Sequence, residues 1–445
     1  MKNSFLFSAG STLFANILIM LLALISGSLV ARMLGPIGKG ELSVIQIIGS
    51  LIATLLASGI PASVVYFVAS DKNNSSSYYF IGILISLLTS IPLIGIAYFV
   101  TPLFLPNYNS NIILAAQIYL IFIPLTIITS FSLAYFQGLN KISTWNYLRL
   151  FAGAAWVLPV VAMYLSGLRD AILFSQIYLA FTFLSAILFF YVSFKSITPP
   201  LRIEKKLTKP LLSKGIPNTI TTILQQNNIR LDQLVIAYFL APFELGIYVV
   251  AQAWSTASLP LMNVFSLNVV PYIASLDMDE NKNYAASRII RTSIFFSIVI
   301  TLLLLIITEP MIKILFGYNF INAIYIAYIL ISFSLFSDVK VVLSEVLRSY
   351  GKSKFIMYAE FTGTFFYSIF LVISAKTWGL KGIAFSSVAA NFVTFVILLL
   401  ETHRISNLKY RDIFLLKSDD IFYLKNRFTI IFSEIYYRYV KNKFL

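Results

Sequence analysis

An all-α integral membrane protein is the fold class that the sequence predicts, with about twelve transmembrane helices in two six-helix bundles. Three observations predict it. The 445 residues are 59% hydrophobic and only 11% charged, with a mean hydropathy of +0.85; soluble domains carry about 25% charged residues. Apolar stretches of about 20 residues, enough to cross a bilayer, recur along the whole chain. The basic residues gather in alternate loops, as they do where short loops face a cytoplasm.

The spans lie at about 8–30, 41–69, 78–104, 112–136, 144–166, 170–194, 213–240, 244–273, 289–308, 322–346, 354–375 and 380–401. Those longer than 25 residues read as tilted, or as extending beyond the membrane. The first follows Met1-Lys2-Asn3-Ser4 without a small-residue cleavage site, so it reads as a span and not as a cleaved signal. With the N-terminus inside, 24 of the 33 Lys and Arg fall on the cytoplasmic side. Six fall outside: Arg32, Lys39, Arg169, Lys313, Lys376 and Lys381. Three lie within spans and clear of their ends: Arg149, Arg230 and Lys340. This asymmetry predicts that both termini are cytoplasmic. The net charge of +15 is then a topology signal and a cushion for anionic lipid, not a nucleic-acid footprint.

Other chemistry is thinly represented. There is no cysteine, which excludes a disulfide framework, a thiolate nucleophile and a thiolate metal site. His403 is the one histidine and reads as an interfacial polar residue. No P-loop lysine motif, paired carboxylates in an outer loop or histidine pair is present, so neither a catalytic constellation nor a cofactor or metal is expected.

The organisation is bipartite. Residues 1–194 form the expected first bundle, and 195–213 a basic linker carrying Lys195, Arg202, Lys205, Lys206, Lys209 and Pro199-Pro200. Residues 214–402 form the second bundle, and 403–445 a basic tail. The halves repeat a motif. Ala31-x-x-Leu34-Gly35-Pro36-x3-Gly40-x5-Gln46 recurs as Ala237-x-x-Leu240-Ala241-Pro242-x3-Gly246-x5-Gln252, five identities at one offset of 206 residues. A weaker pair matches Gly167-Leu168-Arg169 to Gly379-Leu380-Lys381. Six helices per repeat keep one membrane sense, so a pseudo-two-fold axis along the membrane normal is expected, with a cavity between the halves. Pro61, Pro92, Pro124, Pro159 and Pro260 fall inside spans and should bend them. In the tail, Phe428, Ile431, Phe432, Ile435 and Tyr439 follow a helical stripe that suits an interfacial helix; a short docking helix or a disordered segment are the alternatives.

Polar residues inside spans carry the functional reading, because a charge at a helix centre costs about 2.5–3.5 kcal/mol or more and normally faces a bundle interior or water. The densest set is Gln225-Gln226-Asn227-Asn228-Ile229-Arg230-Leu231-Asp232 in the seventh span. Gln225, Asn228 and Asp232 share one stripe; Gln226, Arg230 and Gln233 share the next. Arg230 and Asp232 are two apart and do not pair within the helix. They read as a polar cavity wall in which Arg230 offers a fork to phosphate, or as members of a structural ion pair. Asp338 and Glu345 share a face of the tenth span, with Lys340 on another; Arg149 and Glu360 lie about five residues inside theirs. Snorkelling to the interface is the plainer reading of Arg149, Asp338, Lys340 and Glu345. Arg32 and Glu41 flank the outer turn as interfacial residues.

The run Ser8-Ala9-Gly10 through Ala31-Arg32-Met33-Leu34-Gly35-Pro36-x-Gly38-x-Gly40 resembles the start of bacterial polysaccharide flippases. Gln137-Gly138-Leu139-Asn140-Lys141, Asp232 to Tyr248 and Arg348-Ser349-Tyr350-Gly351-Lys352 continue the likeness, which spans about 1–400. These proteins move O-antigen or capsule repeat units and belong to the multidrug/oligosaccharidyl-lipid/polysaccharide exporter superfamily. The resemblance implies a V of two bundles around a cationic cavity, alternating access, and an undecaprenyl-diphosphate-linked oligosaccharide carried across the bacterial inner membrane. It implies substrate contacts at Arg230, Arg149, Lys340, Gln226 and Asn228. It implies coupling to H+ or Na+ at Asp232, Asp338 and Glu360. It also implies membrane lipids, a polysaccharide polymerase and chain-length machinery as partners, and no nucleic acid. The chain departs from richly basic cavities, with three basic residues in spans. A drug or cation antiporter of the same superfamily and a non-transport component of envelope glycan assembly are the alternatives.

Overall fold

In a computed structural model, the protein is helical, with no strand among the described residues. The structure describes residues 2–199, 201–226, 231–260, 262, 266, 269–276, 279–406, 410–414, 417 and 419–420. The helices are α1 (Lys2–Leu56), α2 (Gly59–Ser70), α3 (Ser75–Phe104), α4 (Ser110–Tyr119), α5 (Phe122–Gly138), α6 (Ile142–Ser166) and α7 (Ala171–Phe194). There follow α8 (Lys205–Gln226), α9 (Leu231–Phe239), α10 (Pro242–Ser255), α11 (Val269–Ala274), α12 (Asp279–Leu315), α13 (Ile321–Ser332), α14 (Ser334–Ser349), α15 (Ser353–Ser406) and α16 (Tyr410–Phe414).

Among the described residues, seven helical segments are long and apolar enough to cross a bilayer, or eight if the bent pair Tyr318–Ser332 and Ser334–Ser349 is one span. The chain is a multi-pass membrane protein. Two of the seven, Leu18–Ser70 and Ser353–Ser406, run to 53 and 54 residues, more than twice the length that one crossing needs. Glycines break them: Gly35 at φ 65° inside α1 and Gly379 at φ 56° inside α15. Only glycine enters that region freely, and Pro36 follows with no N–H to continue the ladder. The expected boundaries between spans 1 and 2, and between 11 and 12, fall at these points.

The predicted span at 244–273 is not one helix. α10 ends at Ser255, a 3₁₀ turn follows over Thr256–Ser258, and helix is taken up again at Leu259 and Pro260, with α11 at Val269–Ala274 further on. Hydrophobicity alone hid the break. Pro260, which has no N–H to give the carbonyl one turn before it, interrupts the ladder there. The stripe from Phe428 to Tyr439 lies outside the described residues.

The chain forms two compact units. The first comprises Met1–Trp254, Thr308–Ala327 and Phe366–Ser387. Its largest core joins Val64 and Val68 of α2, Tyr79 of α3, Ile127 and Phe131 of α5 and Leu211 of α8, all buried. A second core packs Val30 and Leu42 of α1 on Val160 and Met163 of α6 and Phe174 of α7. Small residues let these helices approach closely in lipid, where no hydrophobic effect drives association. Buried hydroxyls bond back into their own helices, as Ser132 Oγ does to Ile128 O at 2.8 Å and Thr101 Oγ1 to Ala97 O at 2.6 Å.

The second unit comprises Ser255–Ile307, Tyr328–Phe365 and Val388–Leu445. Its core brings together Ile290 and Ile294 of α12, Leu343 and Val346 of α14, and Leu398 of α15, and includes Ile413 of the tail. The tail is also fixed by charge. Asp420 and Arg291 are both buried, with Arg291 Nε donating to Oδ2 at 2.7 Å and Nη2 to Oδ1 at 3.0 Å. The Arg288 guanidinium lies 3.5 Å from the same carboxylate. Burial pushes the Asp420 carboxyl up, but hydrogen bonds from Arg291 and from the Lys417 backbone N–H outweigh it and hold it below the usual carboxylate range. A carboxylate depressed in the folded state stabilises above its unfolded value of about 3.9 and loses that stabilisation as pH falls through the lower folded value. The tail should therefore stay protected from protease at pH 5 and come free only below about pH 4. Asp420→Ala should release it at neutral pH, since breaking a buried pair costs about 3–5 kcal/mol; a tail equally resistant in that variant would refute the account.

Candidate functional site

Three polar clusters and one close backbone crossing stand out from the apolar packing. The first cluster centres on Asp232, fully buried at the start of α9. Its Oδ2 accepts from Tyr248 Oη at 2.6 Å and from Gln252 Nε2 at 2.9 Å, both on α10. Tyr367 of α15 also bonds this carboxylate, and Ser387 bonds both phenols. Gln233 Nε2 donates to Gln252 Oε1 at 2.8 Å, closing the ring. A carboxylate surrounded by phenol, amide and hydroxyl groups can exchange a proton, or can turn its oxygens and theirs toward a small cation. Among the described residues no three His, Cys, Asp or Glu side chains gather as a metal site.

The second cluster is in the other unit. Asp338, fully buried on α14, accepts from Ser258 Oγ and Ser297 Oγ, each at 2.9 Å. Thr301 and Ser334 extend this polar seam with a 3.0 Å bond. Lys340 and Glu360 form the third cluster, in the same unit. Lys340 Nζ lies 3.4 Å from Glu360 Oε2 and 3.2 Å from Asn391 Oδ1. The two were expected in separate roles, one for substrate and one for an ion; the structure joins them as partners. Glu345, by contrast, pairs with Arg348 on its own helix at 2.7 Å.

Arg149 lies on α6, half-buried. Its Nη2 donates to Asn16 Oδ1 at 2.7 Å, and its guanidinium stacks 4.4 Å from the Trp145 ring centroid. Nη1 is buried and makes no hydrogen bond. Such an orphan donor costs about 1–3 kcal/mol, more when charged, unless a ligand satisfies it. Arg230 and Asn228 lie outside the described residues, as does the side chain of Gln226.

The crossing is built by the internal repeat. Gly40 of α1 sits against Pro242, and Gly246 of α10 sits against Pro36. A Cβ on either glycine would overlap the facing proline carbonyl, and would lie 3.1 Å from the other glycine's nitrogen. Pro36 and Gly40 are the 206-residue counterparts of Pro242 and Gly246, so the contact is reciprocal, as a local two-fold requires.

Comparison with known proteins fits this arrangement. A family profile described as Polysaccharide biosynthesis protein matches residues 5–277, more than half of the chain. The chain belongs to the polysaccharide biosynthesis protein family. No curated protein matches the sequence. Among solved structures, this family member is similar to lipid II flippase MurJ in an inward closed conformation, with TM-score 0.71 and 18% identity over 97% of this chain and 99% of that one. An inward-facing multidrug resistance MATE family transporter of the MOP superfamily also gives TM-score 0.71, with 13% identity over 87% and 94% of the two chains. An outward-facing one gives 0.58 at 14% identity over 88% and 95%. The family member therefore has the fold of MOP exporters.

Several residues of this site escaped sequence reasoning. Tyr248 and Tyr367 look like apolar-span aromatics until their hydroxyls are placed on Asp232. Gln252 stood in the repeat motif, and that was the one available signal. Arg291 and Asp420 are 129 residues apart, and neither pattern nor spacing links them.

Proposed function

We propose that this protein flips an undecaprenyl-diphosphate-linked oligosaccharide from the inner to the outer leaflet of the bacterial inner membrane by alternating access. Two six-helix halves, both termini cytoplasmic, enclose the path. The observation that carries the reading is Arg149, a guanidinium inside a span whose buried Nη1 makes no hydrogen bond. Arg230 joins it as a second cation, with Gln226 and Asn228 for sugar hydroxyls. Lys340, balanced by Glu360, answers a diphosphate only when that pair parts. Asp232 and Asp338 are the groups on which H+ or Na+ flow acts. Family membership supplies the polysaccharide context; the polymerase and chain-length machinery then take the delivered unit.

Deleting the gene tests this. A flippase mutant accumulates single lipid-linked repeat units on the cytoplasmic leaflet. Single units found outside would point to a polymerisation defect and overturn the proposal. Arg149→Gln should lower export about 10- to 100-fold, the loss of one charge-assisted phosphate contact of about 1.5–3 kcal/mol, with protein level unchanged in the membrane.

A second reading, export of a cationic drug, is favoured by one observation: two of the three described clusters centre on carboxylates, Asp232 and Asp338. Under it, Arg149→Gln would be harmless and Asp232→Asn would alter toxin sensitivity while leaving the glycan intact.

A further inference from the structure

Two of the six basic residues expected outside the membrane, Arg32 and Arg169, line one pocket of about 290 Å³. It lies in the first unit, where α1 approaches Gly35 and where α6 ends at Gly167 in a left-handed cap, φ 69°. Arg32 is held in place by α12. Its Nε donates to Leu315 O at 2.9 Å and its Nη2 to Ile314 O, so it caps the last carbonyls of that helix. That leaves Nη1 with two unassigned N–H donors. Arg169 is exposed and bonds no described group. It forms no ion pair with its neighbour Asp170, whose Oδ1 caps α7 by accepting from Leu173 N at 2.7 Å. The pocket lining contains no carboxylate.

The remaining walls are apolar or amphipathic. Leu29, Met33 and Met163 form the floor, with Tyr164 and Leu168 at the rim. Tyr164 is 63% and Leu165 79% exposed, the exposure expected of side chains that meet lipid. A doubly cationic recess beside lipid-facing aliphatic groups matches an amphiphile with an anionic head. The volume, at the lower edge of the roughly 300–1,000 Å³ of ligand pockets, admits a phosphate and its first substituent, not a whole lipid. Arginine's planar fork suits phosphate oxygens.

We propose that this pocket binds the phosphate headgroup of a lipid at the outer end of the first half, with Arg169 as the recruiting cation and Arg32 as the fixed one. A resident anionic phospholipid and a prenyl-linked phosphate share this chemistry, and the experiment separates them.

Purified full-length protein in phosphatidylcholine nanodiscs is titrated with phosphatidylglycerol. Binding is read by native mass spectrometry and by a fluorophore on Leu168→Cys, a unique thiol in this cysteine-free chain. The expected result is at least tenfold preference for phosphatidylglycerol over phosphatidylcholine, reduced about tenfold by Arg169→Gln and restored by Arg169→Lys. Displacement by farnesyl diphosphate, but not by equal inorganic phosphate, assigns the site to prenyl-linked phosphates. Resistance to both assigns it to a resident phospholipid. Equal retention of the two phospholipids, or unchanged binding in Arg169→Gln with unaltered thermal unfolding, overturns the proposal.

Discussion

Replacing Gly40 with alanine should stop the Gly40–Gly246 crossing from closing and lower export roughly 5- to 150-fold. The figure follows from an overpacking cost of about 1–3 kcal/mol acting on a two-state closure. The added methyl meets the Pro242 carbonyl. That group is backbone, on a segment tied to α9 and α10, and cannot rotate away as a flexible side chain could. Gly246→Ala places its methyl on the Pro36 carbonyl in the reciprocal position and should give the same defect. The double variant should be little worse, because both changes spoil one contact. Thiol labelling reads closure directly. Ser43 lies one turn past Gly40 and is buried, so Ser43→Cys should resist a membrane-impermeant reagent in the parent and react in either alanine variant. Unchanged export with Ser43→Cys still protected would show that this crossing does not need to close.

Neutralising Asp232 should be as severe for a different reason. Asp232→Asn keeps the side-chain volume but faces donors from Tyr248, Gln252 and Tyr367 with one acceptor oxygen instead of two. The network must rearrange, at about 1–3 kcal/mol if one buried donor is left unmet. Export driven by an imposed H+ or Na+ gradient should fall about 5- to 150-fold, the scale of a coupling of about 1–3 kcal/mol. What remains should no longer respond to the gradient. Asp232→Ala should also lower thermal stability, since it removes the link from α9 to α10 and α15. An Asp232→Asn protein that exports normally and still follows the gradient would remove this residue from coupling. The same experiment on Asp338→Asn tests the second carboxylate, whose partners are two serine hydroxyls.

Much of the fold is legible in the sequence because lipid is a demanding solvent. Every backbone polar group must be satisfied within the membrane, so long apolar runs can only be helices. Gly35-Pro36 and Gly379 mark breaks for stereochemical reasons that hold in any context. The repeat around Pro36 and Pro242 was visible as five identities, and it forms the reciprocal crossing. The break after Ser255 was not legible, because the residues that end α10 sit inside a hydrophobic run. The candidate site was half legible. Asp232, Asp338, Arg149, Lys340 and Glu360 announce themselves as charged groups where charge is costly. Their partners do not: Ser258 and Ser297 are common in any helix, and Lys340 meets Glu360 across 20 residues that periodicity does not relate.

The sequence by itself determined that this protein crosses a membrane many times, where its polar residues lie, and that one motif recurs 206 residues further along. Those properties follow from composition and local backbone chemistry. Tertiary structure alone decided which charges neutralise one another and which stay open. It set Lys340 on Glu360 and Arg291 on Asp420, wrapped Asp232 in phenols, and left a nitrogen of Arg149 unmet. The physical reason is that electrostatic energy depends on distance and dielectric, and both are fixed only when helices distant in the chain pack side by side.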